Sequence, residues 1–202
     1  MHFLTGVVLA LAPPTVSAQA ELRVWAAARD YRSGPINELS SKPPFTYKPA
    51  QITEYGASLH LVRIGKLRLG VGGFWYAGAF VGEGNDAIIG FKHQVDGYGF
   101  VVPVEYHLTR LRDGASLGIA VIPGVEVLSL NGDTGNTRMT LSGGPTLDVA
   151  IGRRLGLRIA PEVGSFLASP YLAGDLPEGT RDRTTWWMAM RFGLTWTFGA
   201  TR

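Results

Sequence analysis

Four groupings of side chains in this 202-residue chain could carry chemistry. His107 stands two residues after Glu105 and, across a tight turn, close to Ser116. A Ser-His-acid set works because the imidazole takes the hydroxyl proton while the carboxylate orients the ring, so Ser116 would be the nucleophile of a hydrolase. Asn131-Gly132-Asp133-Thr134-Gly135-Asn136 offers oxygen ligands that calcium accepts, but Asn, Asp and Gly are first of all the residues that close hairpins. Gly82-Glu83-Gly84-Asn85-Asp86-Ala87 has G-x-G-x-x-A spacing, yet a dinucleotide turn must open a helix and none follows. The fourth grouping is a set of charges: Arg23, Arg29, Arg158 and Arg191 with Glu105, Glu126, Asp148 and Glu162. The chain has no cysteine, which excludes thiol nucleophiles, zinc-thiolate sites and disulfides. No cofactor is expected from any of these groupings.

The elements that must position these residues are strands. From Glu21 onward, apolar residues recur at every second position over eight segments, at about 22–31, 53–64, 67–80, 97–108, 116–130, 138–151, 155–166 and 185–198. Longer polar stretches at 32–52, 81–96, 131–137 and 167–184 alternate with tight turns at 65–66, 109–114 and 152–154. Strands of about ten residues with long loops at one end and short turns at the other predict an eight-stranded, antiparallel, up-and-down transmembrane β-barrel. An even strand count places both ends of the barrel on the short-turn side. No composition shift marks a second domain.

Alternation alone does not separate a membrane barrel from a soluble one. The face opposite the apolar one decides. It reads Gly56, Ser58, His60, then Gly70, Gly72, Phe74, Tyr76, Gly78, then Gly99, Val101, Pro103, Glu105, His107, then Gly118, Ala120, Ile122, Gly124, Glu126. A soluble barrel would carry Lys and Glu there. Charged residues are only 17% of the chain, against about 25% in ordinary soluble domains, and there are 27 glycines. Small residues with isolated charges suit the cramped bore of a narrow barrel, so the apolar face points to lipid. The charges then fall inside, where an unpartnered one is very costly. Arg29, Glu105, Glu126, Asp148, Arg158, Glu162 and Arg191, with Arg23, are expected to pair and plug the lumen. His60 is expected to be a hydrogen-bonded interior residue. Tyr55, Phe100 and Trp186 near the long-loop ends, with Tyr106, Trp196 and Phe198 near the short-turn ends, are expected to form two aromatic girdles. Pro103, Pro123, Pro145 and Pro161 each remove a ladder donor, so bulges or breaks are expected at them.

Residues 1–20 read as a secretory signal peptide: an apolar run over 3–12, then Pro13-Pro14, then small residues permitting cleavage after Ala18 or Ala20. Residues 21–202 form the barrel domain. The run Met188-Ala189-Met190-Arg191-Phe192-Gly193-Leu194-Thr195-Trp196-Thr197-Phe198 resembles the C-terminal signal strand of bacterial outer-membrane barrels, and with the eight segments the chain resembles the small-barrel class of outer membrane protein A and its shorter relatives. One departure is that Gly199-Ala200-Thr201-Arg202 follow the terminal aromatic. The resemblance implies a Gram-negative outer-membrane location, outer-membrane lipids around the wall, and the barrel assembly machinery as a partner. It implies no substrate. The expected role is non-enzymatic, structural or binding through the extracellular loops, which carry Phe45, Tyr47, Phe91, His93 and Tyr171; the partner at those loops is unknown. Two other readings stand beside it: a lipid-modifying enzyme and a narrow pore. Lipid-modifying barrels resemble outer-leaflet enzymes, whereas Ser116 and His107 fall at the opposite rim. With a net charge of +3 and no basic tract, no nucleic-acid partner is expected.

Overall fold

The computed structural model describes residues 16–17, 20–37, 45–84, 87–111, 114–130, 132, 135–171, 176 and 178–198, with backbone only at 16–17, 87, 89 and 91–94. Eight long strands follow one another: β1 (Glu21–Tyr31), β2 (Phe45–Ile64), β3 (Leu67–Gly84), β4 in two pieces (Ala87–Val101 and Val104–Arg110), β5 (Ala115–Leu130), β6 (Asn136–Ala150), β7 (Leu155–Phe166) and β8 (Trp186–Thr197). Each is antiparallel to its neighbour in sequence. The ring closes where β8 pairs with β1, from Trp187 opposite Tyr31 to Thr197 opposite Glu21. A closed ring leaves no strand edge, the condition for crossing hydrocarbon, where an unpaired backbone group costs several kcal/mol. The Phe198 amide donates to Ala20 at 2.8 Å, so the two ends of the barrel sequence meet at the short-turn rim. Three two-residue strands are appended: Val16–Ser17 against Ile64 and Arg63, and Ile36–Asn37 bridging β2 and Thr180–Arg181 at the long-loop end.

Within the wall the predicted alternation places side chains as expected. Phe100, Met139, Val71 and Leu194 lie on the exposed outer face, while Gly70, Ala120, Glu126 and Arg29 are buried in the bore. Glycine makes the bore wide enough for its rings. A Cβ at Gly56, Gly97, Gly99 or Gly164 would come closer than 3.0 Å to the ring of Trp25, Tyr76, Phe74 or Trp187 respectively. The hairpin at Gly65-Lys66 requires glycine for another reason: Gly65 has φ of 59°.

Two of the expected loops are corrected. Much of 32–52 and 81–96 is strand: β2 begins at Phe45, β3 runs to Gly84 and β4 starts at Ala87, so a β2–β3–β4 blade rises beyond the apolar band. The reason is a bulge between Ala50 and Thr53, where Gln51 takes φ of 52°. Below it, inward positions are even-numbered: Ile52, Glu54, Ser58. Above it they are odd: Tyr47 and Pro49 are buried. The chemistry inverts as well. In the blade the inside is aromatic, with Tyr47 and Phe80 stacked at 6.3 Å, and the outer side carries the Lys48–Glu83 ion pair.

The prolines act in different ways. Val102-Pro103 interrupts β4, and the Gly70 amide reaches the Pro103 carbonyl across the break. Pro123 lies within β5, and its carbonyl accepts from Val102. Pro145 and Pro161 face each other across β6 and β7, where ladder pairing stops between Ile159–Leu147 and Val163–Gly143.

Candidate functional site

The bore is stacked in tiers. At the short-turn end lie Glu21, Arg23, Arg68, Glu105, Asp148 and Arg158. Arg23 pairs with both Glu21 and Glu105; Arg158 reaches Glu105 at 2.6 Å and Asp148 at 3.1 Å; Arg68 reaches Glu21 at 3.1 Å. Three guanidinium groups thus meet three carboxylates. A second tier lies nearer the middle. Arg29 pairs with Glu54 and, at 2.9 Å, with Glu126, while Arg191 holds Glu54 and Glu162 at 3.0 Å each. Glu54 is wholly buried and also accepts from the Trp25 indole at 2.9 Å. Rings cover the cations: the Arg29 guanidinium lies 4.6 Å from the Trp187 centroid and Arg191 5.1 Å from that of Trp25.

Above this tier the bore is closed by aromatic side chains. Tyr31, Phe166 and Trp187 pack at 5.3–6.5 Å, and Phe80 meets Tyr171 at 5.7 Å. Burial in that cluster, beyond the end of β7, pushes the Tyr171 phenol well above its ordinary range. Between the two ionic tiers remains a cavity of about 50 Å³, lined among others by Ser58, His60, Ala120, Ile122 and Ala160. His60 Nε2 lies 3.2 Å from Ser58 Oγ, and its Nδ1 has no partner.

All eight charges singled out from the sequence face this bore, in two separate tiers. Sequence reasoning omitted Glu21, Glu54 and Arg68. Their signal was parity: Glu54 is in step with Gly56, Ser58 and His60, and Arg68 with Gly70 and Gly72. The six ring residues Tyr55, Phe100, Tyr106, Trp186, Trp196 and Phe198 lie on the outer face. Tyr55 stands opposite Trp75, which stands opposite Tyr98, giving a row of three exposed rings across β2, β3 and β4.

The triad is not assembled. Both Glu105 oxygens are taken by Arg23 and Arg158, and Ser116 stands opposite Arg110 and Asp148. Among the described residues neither Glu105 nor Ser116 hydrogen-bonds His107. The oxygen-rich turn loses Asn131, Asp133 and Thr134, and the Gly82–Ala87 stretch loses Asn85 and Asp86, to positions outside the described residues. What is described of the latter is strand. Among the described residues no cluster of three metal-ligating side chains occurs. The side chains of Phe91 and His93 are outside the described set; Tyr47 and Tyr171 are buried in the aromatic tier rather than offered to solvent.

No protein-family model matches the chain, and no curated protein sequence does. Solved structures do. Neisserial surface protein A (NspA) superposes with a TM-score of 0.58 at 12% identity, covering 91% of this chain and 99% of that one. The outer membrane protein OprG from Pseudomonas aeruginosa gives 0.57 at 9% identity, covering 91% and 97%. Likeness at such identities is likeness of fold, and the fold of this chain is the eight-stranded antiparallel β-barrel of small outer-membrane proteins.

Proposed function

We propose that the chain is a non-enzymatic protein of a bacterial outer membrane, built as a plugged barrel whose role is structural or one of binding through its long-loop end. The observation that carries this reading is inverted polarity. Phe100 is 71% exposed, Met139 61% and Phe192 57% on the outer wall, while Glu54 and Glu126 are at most 1% exposed inside. In water that arrangement would expose a large apolar belt and bury its charges, opposite to a soluble protein. In a bilayer both halves are satisfied. The fold likeness to NspA and OprG agrees with it.

On this reading residues 1–20 are the signal peptide and 21–202 the inserted domain. Outer-membrane lipids surround the wall. Tyr55, Phe100 and Trp186 mark one headgroup level, and Tyr106, Trp196 and Phe198 the other. The ionic tiers, with Arg29, Glu105, Glu126, Asp148, Arg158, Glu162 and Arg191, keep the lumen shut. The last strand, ending in Trp196 and Phe198, is the segment that the assembly machinery reads. The test is twofold. Purified protein is expected to need detergent and to migrate faster on a gel unheated than boiled, and in planar bilayers it is expected to give no stepwise current. A soluble, monodisperse chain without detergent overturns the membrane reading; regular conductance steps overturn the plug.

A further inference from the structure

Among the described residues the wall has one seam without ladder bonds. Ile151 donates to Leu155 and Leu167 to Met139, at the two ends of the β6–β7 ladder. Those bonds put every second pair in the hydrogen-bonded class, and Pro161 opposite Pro145 falls in it. Neither proline has an N–H, so both bonds of that pair vanish. From Ile159–Leu147 to Val163–Gly143, about 13 Å of strand at ~3.3 Å per residue, the two strands are not stitched.

Two spaces meet at this seam. Inside is the cavity of about 50 Å³ between the ionic tiers. Outside, on the apolar wall, is a groove of about 380 Å³ whose floor and sides include Ala28, Val163, Met188 and Met190. Gly144, Pro145, Pro161 and Glu162 line both. Glu162 is 4% exposed; its Oε2 pairs with Arg191, but its Oε1 has no partner, and neither has Arg191 Nε. A free acceptor and a free donor therefore belong to one ion pair behind the seam.

From this we infer that the β6–β7 seam binds a single-chain neutral amphiphile, its hydroxyl head between Glu162 and Arg191 in the lumen and its alkyl tail in the outer groove. The volumes fix which end goes where. The inner cavity holds a head group and a few waters, not a ligand. The groove has the size of a small-ligand site and a mostly apolar lining, the exposed Asp30–Arg32 ion pair standing toward its long-loop end. Head chemistry follows from the unpartnered atoms: a hydroxyl donates to the carboxylate and accepts from the guanidinium. An ammonium or sulfate would add an unpaired charge where every charge is already paired. Parting the strands to admit the head breaks no ladder bond, which is what the paired prolines contribute.

This site rests on the reading that the outer face meets lipid, and the test separates the two. The chain lacks cysteine, so single-cysteine variants are unambiguous. Ala160→Cys and Thr146→Cys place a thiol on either lip of the seam; Ala120→Cys places one in the same cavity away from it. Each is inserted in phosphatidylcholine vesicles and labelled with N-ethylmaleimide, and each is checked for the heat-dependent gel shift of a folded barrel. The thiols at 160 and 146 are expected to react about tenfold faster than that at 120, and 1-dodecanol is expected to slow them about tenfold. Dodecyltrimethylammonium, with the same tail and a charged head, is expected to have no such effect. Pro145→Ala combined with Pro161→Ala returns both donors and is expected to remove the difference between sites. Equal rates in an inserted barrel, or rates that dodecanol leaves unchanged, overturn the seam site alone. A parent protein that neither inserts nor shifts on heating overturns both readings.

Discussion

Arg23, Arg29, Arg158 and Arg191 in the bore are each held by more than one carboxylate, so the cost of removing one falls on what it leaves behind. Arg29→Met takes from the buried Glu126 its guanidinium partner and leaves Glu54 with Arg191 alone. Breaking a buried pair from one side costs about 3–5 kcal/mol, and a fall of that size in unfolding free energy is expected from urea titration in detergent micelles. Glycine makes a second residue-scale case. Gly164→Val drives a methyl into the Trp187 ring and is expected to destabilise by about 1–3 kcal/mol in the same titration. Gly90→Val meets open space and is expected to leave stability near that of the parent. The inward charges were legible because alternation alone assigns a face. Glu21, Glu54 and Arg68 were the exceptions: each keeps the inward step of its strand but lies at the starting edge of a predicted segment. The partnering of each charge was not legible, because register between strands is set by turns and bulges and not by any one strand.

At the scale of elements, each strand in the wall satisfies two solvents, and substitutions should respond by face. Ile159→Arg puts a cation on the lipid side of β7, one pair below the seam. It is expected to cost about 2–4 kcal/mol if the site lies at the bilayer midplane and about 0–1 at an interface, so refolding yield into vesicles also reports depth. The eight strands could be read from sequence because lipid demands an unbroken apolar row on one face and the narrow bore demands small residues on the other. The β2–β3–β4 blade could not. Above the apolar band the outer side meets water, the inside turns aromatic, and the bulge shifts the count, so the same two-residue period no longer points the same way. The prolines were legible as ladder breaks, but that Pro145 lies opposite Pro161 depends on the register of β6 against β7.

The whole molecule is a stack: an ionic tier, a small cavity, a second ionic tier and an aromatic stopper. Each alone would narrow the bore; in series they make the barrel a rod. Removing the stopper alone, by Trp187→Ala with Phe166→Ala, is therefore expected to leave planar bilayers without stepwise current, since both ionic tiers still stand below it. Steady current steps from that variant would place the seal in the aromatic tier.

The turn of the backbone at Gln51 works as a phase changer between two environments. Inserting one more residue beside it would keep every side chain but slide the count, sending Tyr47 and Pro49 out into water and Lys48 toward the stacked rings. The membrane-embedded wall below would be untouched. A single-codon insertion should thus yield a barrel that still inserts but whose outer crown is frayed, open to protease at its tip while the remainder stays resistant.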